Sequence, residues 1–391
     1  MKQKKTVLGI ISPGDFSNKF VSGGASGFLK NILPYLNNYR TIIFGIGLND
    51  SIPWKTYHLD SNVDFIPICN IKVPSKIPMR LKVLIYYIRH RNRIIKSGVD
   101  VLYIQMPECC LPFLNKRYRI PVIYHKHGSV NPVSRSKYVY GRNILFKKFY
   151  EIVLMLIYQK ATWIITIDRI SLKEAKKYGA ENRTSLLMNA VNTGKYFPDY
   201  VLRKQARSNA GMVENIFVIL FVGRIEKTKG PERLLDCISR LKETKHPFHI
   251  LLAGEGTYRT YLENKVRIQN YESNVTFLGN VPHEKMPYFY NLADVMVLPS
   301  ETEGVPMVIL EALACGTPVV ASNVGSIPDL VLDGINGIVL DNLSPVKLAS
   351  AIINILHKKN ERNEIARSID KHSAKNFIKS FNNIITNILI N

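Results

Sequence analysis

The chain has 391 residues, of which 46% are hydrophobic, 10% aromatic and 21% charged. That composition excludes a disordered or fibrous chain, and the length predicts two globular domains of roughly 200 residues each. The net charge of +23 is lopsided: residues 1–204 hold 33 Lys and Arg against 11 Asp and Glu, and residues 205–391 hold 20 against 19. Such a field draws anionic lipid, nucleic acid or phosphorylated substrates to the first half.

In chain order, Val7–Ile11 is a short apolar run ended by Pro13-Gly14-Asp15. It is too short for a signal peptide and reads as a first buried strand. Thr41–Ile46, Asp64–Ile68, Val99–Ile104, Val122–Lys126 and Trp163–Ile167 are further strand candidates. Helical spacing marks Phe28–Asn37, Met79–Ile95, Asn143–Tyr158 and Ser171–Tyr178. Met79–Ile95 interleaves apolar, aromatic and basic residues, which suits a scaffold helix or one lying on a membrane surface. The apolar stretch Ile144–Ile165 is interrupted by Lys147, Lys148, Glu151, Gln159 and Lys160, so it cannot span a bilayer. Cys69, Cys109, Cys110, Cys237 and Cys315 show no metal-ligand spacing and read as reduced core residues.

Tyr200–Glu214 is polar and reads as a linker. Beyond it, strands Ile216–Val222, His249–Ala253, Val275–Leu278, Val295–Leu298, Pro318–Ala321 and Gly337–Leu340 alternate with helices. Those helices are Pro231–Leu241, Tyr258–Ile268, Met286–Leu292, Val308–Ala314 and Pro345–His357. Strand–helix alternation with short loops predicts an α/β chain with open parallel sheets covered on both faces. The expected architecture is therefore two Rossmann-like, doubly wound domains, residues 1–204 and 205–375, facing across a cleft. Residues 376–391, apolar at helical spacing, are expected to pack back on the first domain. Ligands of such sheets bind at the carboxyl ends of the strands, so the cleft is the expected active site.

Chemistry concentrates in a few loops. In Phe221–Gly230, Arg224 and Lys229 follow a strand and precede a helix, an arrangement that suits a diphosphate held by two cations and a helix N-terminus. The alternative is a solvated basic loop. In Ser300–Glu311, a strand again runs into a helix. Glu303 precedes that helix and Glu311 lies two turns inside it, both suited to vicinal hydroxyls. Pro306 suits a first-turn position and leaves the N–H groups of Met307 and Val308 free for a ligand. Glu311 among apolar neighbours is not an ordinary surface glutamate. Ser22–Gly27 is a glycine loop that lets backbone N–H groups approach a phosphate. His127, at a strand end, suits an acid, base or hydrogen-bond role, with an ordinary core histidine as the alternative. Asp-x-Asp, Gly-x-Ser-x-Gly and His-Glu-x-x-His patterns are absent, so no metal is expected.

Together these blocks resemble the retaining glycosyltransferases of the GT-B fold, of the family 4 or group 1 type. The resemblance is strongest over residues 215–342, through FVGRIEKTKG, LLAGEG, VTFLGNVPHEKMPYFYNLADVMVLPS and ETEGVPMVILEALACGTPVVASNVGSIPDLV. The first half matches through SGGASGF, HKHG and MNAVNTGKYFP, in which Asn192 stands where many relatives carry Asp. The resemblance implies catalytic roles for His127, Arg224, Lys229 and Glu303. It implies donor contacts from Gly23, Gly24, Arg224, Lys229, Asn280, Val281, Glu303, Gly304, Met307, Val308 and Glu311, with no cofactor and no metal. Arg224 and Lys229 would hold the diphosphate, Glu303 the sugar and Glu311 the ribose. The implied reaction moves a sugar from a nucleotide-diphosphate donor, UDP-sugar favoured, to a glycan or lipid-linked acceptor, in bacterial surface-polysaccharide assembly. The basic first half predicts a cytoplasmic protein held peripherally on an anionic membrane. The alternatives are a GT-B nucleotide-sugar epimerase, a basic nucleic-acid-binding protein and an inactive scaffold.

Overall fold

The computed structural model describes residues 5–12, 14–17, 24–47, 51–70, 79–128, 144–212, 215–358 and 361–390. The chain divides into two compact units, Met1–Asn189 with Phe377–Asn391, and Ala190–Asn376.

The first unit is built on an eight-stranded sheet. Its strands are β1 (Thr6–Ile11), β2 (Tyr39–Gly47), β3 (Tyr57–Asp60), β4 (Val63–Asn70), β5 (Val101–Ile104), β6 (Val122–Lys126), β7 (Trp163–Thr166) and β8 (Thr184–Leu186). Their order is β3-β4-β2-β1-β5-β6-β7-β8, parallel throughout except for the antiparallel edge strand β3. β1 and β5 are buried almost end to end, and their runs of Ile, Leu and Val match a sheet covered on both faces. The C-terminal helix Ala374–Ile390 contributes Phe381 to this core, 5.2 Å from Tyr103, and Asn382 Oδ1 accepts from the Tyr39 hydroxyl at 2.6 Å.

The second unit carries six parallel strands. They are β9 (Phe217–Val222), β10 (Phe248–Ala253), β11 (Val275–Gly279), β12 (Val295–Leu298), β13 (Val319–Ser322) and β14 (Gly337–Leu340), in the order β11-β10-β9-β12-β13-β14. The chain builds outward from β9 to β11, returns, and builds outward again from β12 to β14. The reversal lies between β9 and β12. Loops leaving the carboxyl ends of such a pair splay apart and leave a crevice. Both charged loops singled out in the sequence leave these two strands.

Several sequence expectations are corrected. Tyr200–Asn209 is a helix of the second unit, not a linker. Asp199 caps it, accepting from Leu202 N at 2.8 Å. Its anchorage is ionic, which hid it from an apolar-period search: Arg203 and Arg207 both ion-pair with Asp294, the latter at 3.0 Å. The segment Pro231–Leu241 breaks into two helices, Pro231–Leu235 and Ile238–Glu243. The first helix starts at Gly24, earlier than expected, and gives way to a 3-10 turn at Leu33. The short edge strands β3 and β8 had no distinguishing pattern. All five cysteines are buried and unbridged.

Candidate functional site

The loop after β9 begins at Gly223 and tightens into a 3-10 turn over Lys227–Lys229. Gly230 closes it in the left-handed region at φ +69°, where a Cβ would lie 2.1 Å from the Pro299 carbonyl oxygen. Only glycine lets this turn press against the loop after β12. The two loops are also joined by Glu301 N donating to Thr228 O at 2.9 Å and by Arg233 donating to Pro299 O at 2.8 Å. That clamp turns Lys229 inward. Its Nζ meets Glu303 Oε1 at 2.7 Å, and the Ser300 hydroxyl donates to the same oxygen at 2.8 Å. Arg224 points into solvent, with its guanidinium 2.6 Å from Glu226.

Glu303 is fixed from a third strand as well. Gly325, after β13, has φ +60°, and a Cβ there would lie 2.3 Å from the Glu303 carbonyl oxygen. Ser326 N donates to Gly304 O at 2.9 Å. The helix Met307–Ala314 then starts from Pro306 without a side-chain cap. Its first N–H groups, those of Met307 and Val308 among them, have no intrahelical acceptor and carry the positive end of the helix dipole. In the second turn Glu311 is buried, and Tyr290 donates to its Oε2 at 2.8 Å. The structure thus brings Lys229, Glu303 and Gly304 together at the strand reversal. Asn280 and Val281 follow the edge strand β11, beside the turn in which Gly254 N donates to Gly279 O at 2.8 Å. Sequence reasoning missed Ser300, His283 and Tyr290, because a side chain that holds another in place leaves no spacing signal.

In the first unit Gly24 opens the helix Gly24–Ile32, and Gly23 lies outside the described residues. His127 follows β6, its ring 4.0 Å from that of His125, with Phe28 against both. Its Nε2 is buried without a hydrogen-bond partner among the described residues. Burial pushes the His127 pKa down to about 4, against a smaller opposing effect of its hydrogen bond with Asn189. His127 is thus a neutral imidazole at physiological pH. The register of β1, β5 and β6 continues to a row of Ser12, Gln105 and His125 at the carboxyl ends. Gln105 stands between Ser12 and His125 in this row, and Ser12 Oγ and His125 Nε2 are likewise buried without a hydrogen-bond partner among the described residues. Neutral groups able both to donate and to accept suit hydroxyl-rich ligands better than phosphate.

His372 in the second unit is also pushed down to about 4 by burial. A histidine with a folded pKa below its ordinary 6.5 binds its proton more readily when unfolded. The stability these neutral rings contribute is therefore complete above pH 6.5 and is lost as pH falls toward 4. Denaturant titrations between pH 7.5 and 4.5 are expected to show the unfolding midpoint falling on the acid side. His127→Phe should flatten that slope, and an unchanged slope would contradict the assignment.

Among known families, Glycosyl transferases group 1 matches residues 203–372, and Glycosyltransferase Family 4 matches residues 54–195. A D-inositol 3-phosphate glycosyltransferase from Geodermatophilus obscurus is 34% identical over 192 residues, covering 46% of this chain and 42% of the relative. The chain spans about half the length of such curated relatives. Sucrose-phosphate synthase from Thermosynechococcus elongatus shares the fold with a TM-score of 0.80 at 19% identity, over 99% of this chain and 100% of its own. Anabaena HepE in complex with UDP-glucose does so with a TM-score of 0.72 at 18% identity, over 97% and 99%. Two parallel-sheet units with charged loops at the strand reversal thus define a chain of the GT-B glycosyltransferase fold. The chain belongs to the glycosyltransferases of family 4, with the group 1 module as its second unit.

Proposed function

We propose that this protein transfers a sugar from a nucleotide-diphosphate donor, UDP-sugar favoured, to a lipid-linked glycan acceptor with retention at the anomeric carbon. The observation that carries the reading is the Lys229–Glu303 pair, 2.7 Å apart, at the strand reversal and just ahead of an uncapped helix N-terminus. A diphosphate placed there meets Lys229 and the N–H groups of Met307 and Val308, and Arg224, which points into solvent from the same loop, is assigned to turn toward it. Gly23 and Gly24 are assigned to its phosphate side, and Asn280 and Val281 to the base. Glu303 takes the sugar hydroxyls and Glu311 the ribose. As the donor C1–O bond breaks, negative charge grows on the departing diphosphate. The cations and the helix dipole stabilise it without a metal. The acceptor oxygen forms the new bond to C1 from the same face, and its proton passes to the departing phosphate oxygen. His127, neutral, serves as a hydrogen-bonding partner of the sugar. Anabaena HepE, whose structure contains UDP-glucose, supports the choice of uridine.

The acceptor reading rests on charge. The helix Met79–Lys96 carries Arg80, Lys82, Arg89, Arg91, Arg93 and Lys96 and no acid. Leu81, Ile85 and Ile88, spaced along one face, are 49%, 48% and 42% exposed. An apolar ridge flanked by cations suits an anionic lipid surface. We therefore place the protein peripherally on the cytoplasmic face of a bacterial membrane, acting in surface-polysaccharide assembly. Among the described residues no helix is long and apolar enough to cross a membrane.

A thermal-shift screen against UDP-, GDP-, ADP- and dTDP-sugars in EDTA tests the reading. One nucleotide should raise the melting temperature by several degrees, and the Lys229→Ala variant should lose that rise. No shift with any donor, or a shift that requires added metal, would contradict it.

A further inference from the structure

We infer that His283, held from behind by Lys195, is a positioning residue that aims the Glu311 carboxylate at the hydroxyls of a nucleotide ribose. This rests on the nucleotide-sugar reading above.

Glu311 presents an unusual problem. Its helix reads MVILEALA, and Ile309, Leu310, Ala312, Leu313 and Ala314 around it are all buried apolar groups. Among the described residues no Lys or Arg touches the carboxylate; His283 Nε2 lies 3.1 Å from Oε1 and the Tyr290 hydroxyl 2.8 Å from Oε2. Packing does not call for an acid here. An ionised carboxylate offers about four lone-pair sites. The two protein donors occupy one on each oxygen and leave one on each oxygen for a ligand. A pair of acceptors side by side matches two vicinal hydroxyls.

The histidine's tautomer follows from its other neighbour. Lys195 Nζ lies 2.8 Å from His283 Nδ1 and 3.0 Å from the His283 carbonyl oxygen. An ammonium group only donates, so Nδ1 must be the accepting nitrogen and Nε2 must carry the proton. That proton is shared between Glu311 Oε1, 3.1 Å from the nitrogen, and the Tyr196 hydroxyl oxygen, 3.0 Å from it. Tyr196, buried, sets its hydroxyl 3.0 Å from the same Nε2 and its ring 5.8 Å from the imidazole. The chain Lys195, His283, Glu311 therefore has one consistent hydrogen-bond direction, running from cation to carboxylate. Each oxygen of Glu311 is held by a ring that cannot rotate freely, since Tyr290 is fully buried. A fixed carboxylate loses less freedom on binding than a mobile one, so its ribose contact contributes more to discrimination.

Ribose discrimination isolates this role from simple scaffolding. Isothermal titration of the full chain with UDP, 2′-deoxy-UDP and 3′-deoxy-UDP is the experiment (with the guanine set, if the donor screen selects guanine). The wild type should prefer UDP over at least one deoxy form by about tenfold, the value of one good hydrogen bond to a charged group. His283→Ala should bring that ratio close to one, and Lys195→Met should lower it about threefold by releasing the tautomer. His283→Gln, whose amide can still donate to Glu311, should keep most of the preference. Melting curves report whether each variant is folded, and Lys195→Met carries the test if His283→Ala is not. A ratio unchanged in folded His283→Ala or in Lys195→Met overturns the inference, even where both affinities fall together. A wild type that binds no nucleotide overturns the donor reading itself.

Discussion

Lys229→Ala is expected to lower the rate of donor turnover about 10²- to 10³-fold, as loss of one preorganised charge stabiliser does elsewhere. The ammonium sits 2.7 Å from Glu303, and both side chains are largely buried, Lys229 at 21% and Glu303 at 10% exposure. In that setting a cation interacts more strongly with a departing diphosphate than it would in water. Removing it also strips Glu303 of its counter-ion and leaves the Ser300 hydroxyl on that oxygen. Some loss of stability should accompany the loss of rate. The two separate cleanly: Glu303→Gln keeps the shape and removes the acid, so it should disturb sugar contact while leaving the diphosphate cation in place. Lys229→Arg retains the charge on a differently shaped head and should recover only part of the rate. Initial rates of nucleotide release at saturating donor measure this. A Lys229→Ala variant within threefold of wild type would remove Lys229 from the reaction.

Gly230→Ala should cost about 3 kcal/mol of stability or more, through a methyl group that nothing can accommodate. The residue holds φ +69°, which alone costs alanine about 1 kcal/mol. The larger part is the Pro299 carbonyl oxygen, 2.1 Å from the ideal Cβ position. That atom is backbone, so the loop after β12 must move. The same movement would draw Glu303 away from Lys229, and donor binding should fall together with stability. Gly304 offers the contrast, since no atom lies within 4 Å of its ideal Cβ. Chemical denaturation of the two alanine variants checks this. Equal stabilities would mean that the two loops are not clamped as described.

Much of this arrangement was legible in the sequence. The strands β9 and β12 are unbroken apolar runs, each bounded by glycine, proline or charge, and such runs in alternation with helices point to a parallel sheet. The charged loops could be placed because they follow those strands directly. The helix Tyr200–Asn209 was not legible. Arg203, Arg207 and Asp294 hold it, and a search for apolar periodicity does not register ionic anchorage. The partners of Glu311 were equally silent. His283, Tyr290 and Lys195 come from separate segments, and only the folded chain brings them to one carboxylate. Ser12 and Gln105 form a row with His125 only through the register of three strands distant in sequence. Motifs therefore point to the groups proposed to meet a ligand, and the groups that hold them emerge only from the tertiary structure.

The reaction proposed for this protein is sugar transfer from a nucleotide donor with retention. An NMR time course of the selected nucleotide sugar with the full chain in EDTA addresses it most directly. The expected result is slow release of the nucleoside diphosphate, with the α-linked donor giving the α-anomer first, and almost no release in the Lys229→Ala variant. Appearance of the β-anomer first would contradict retention. A donor that binds yet stays intact, or one converted to another nucleotide sugar without release, would contradict transfer itself.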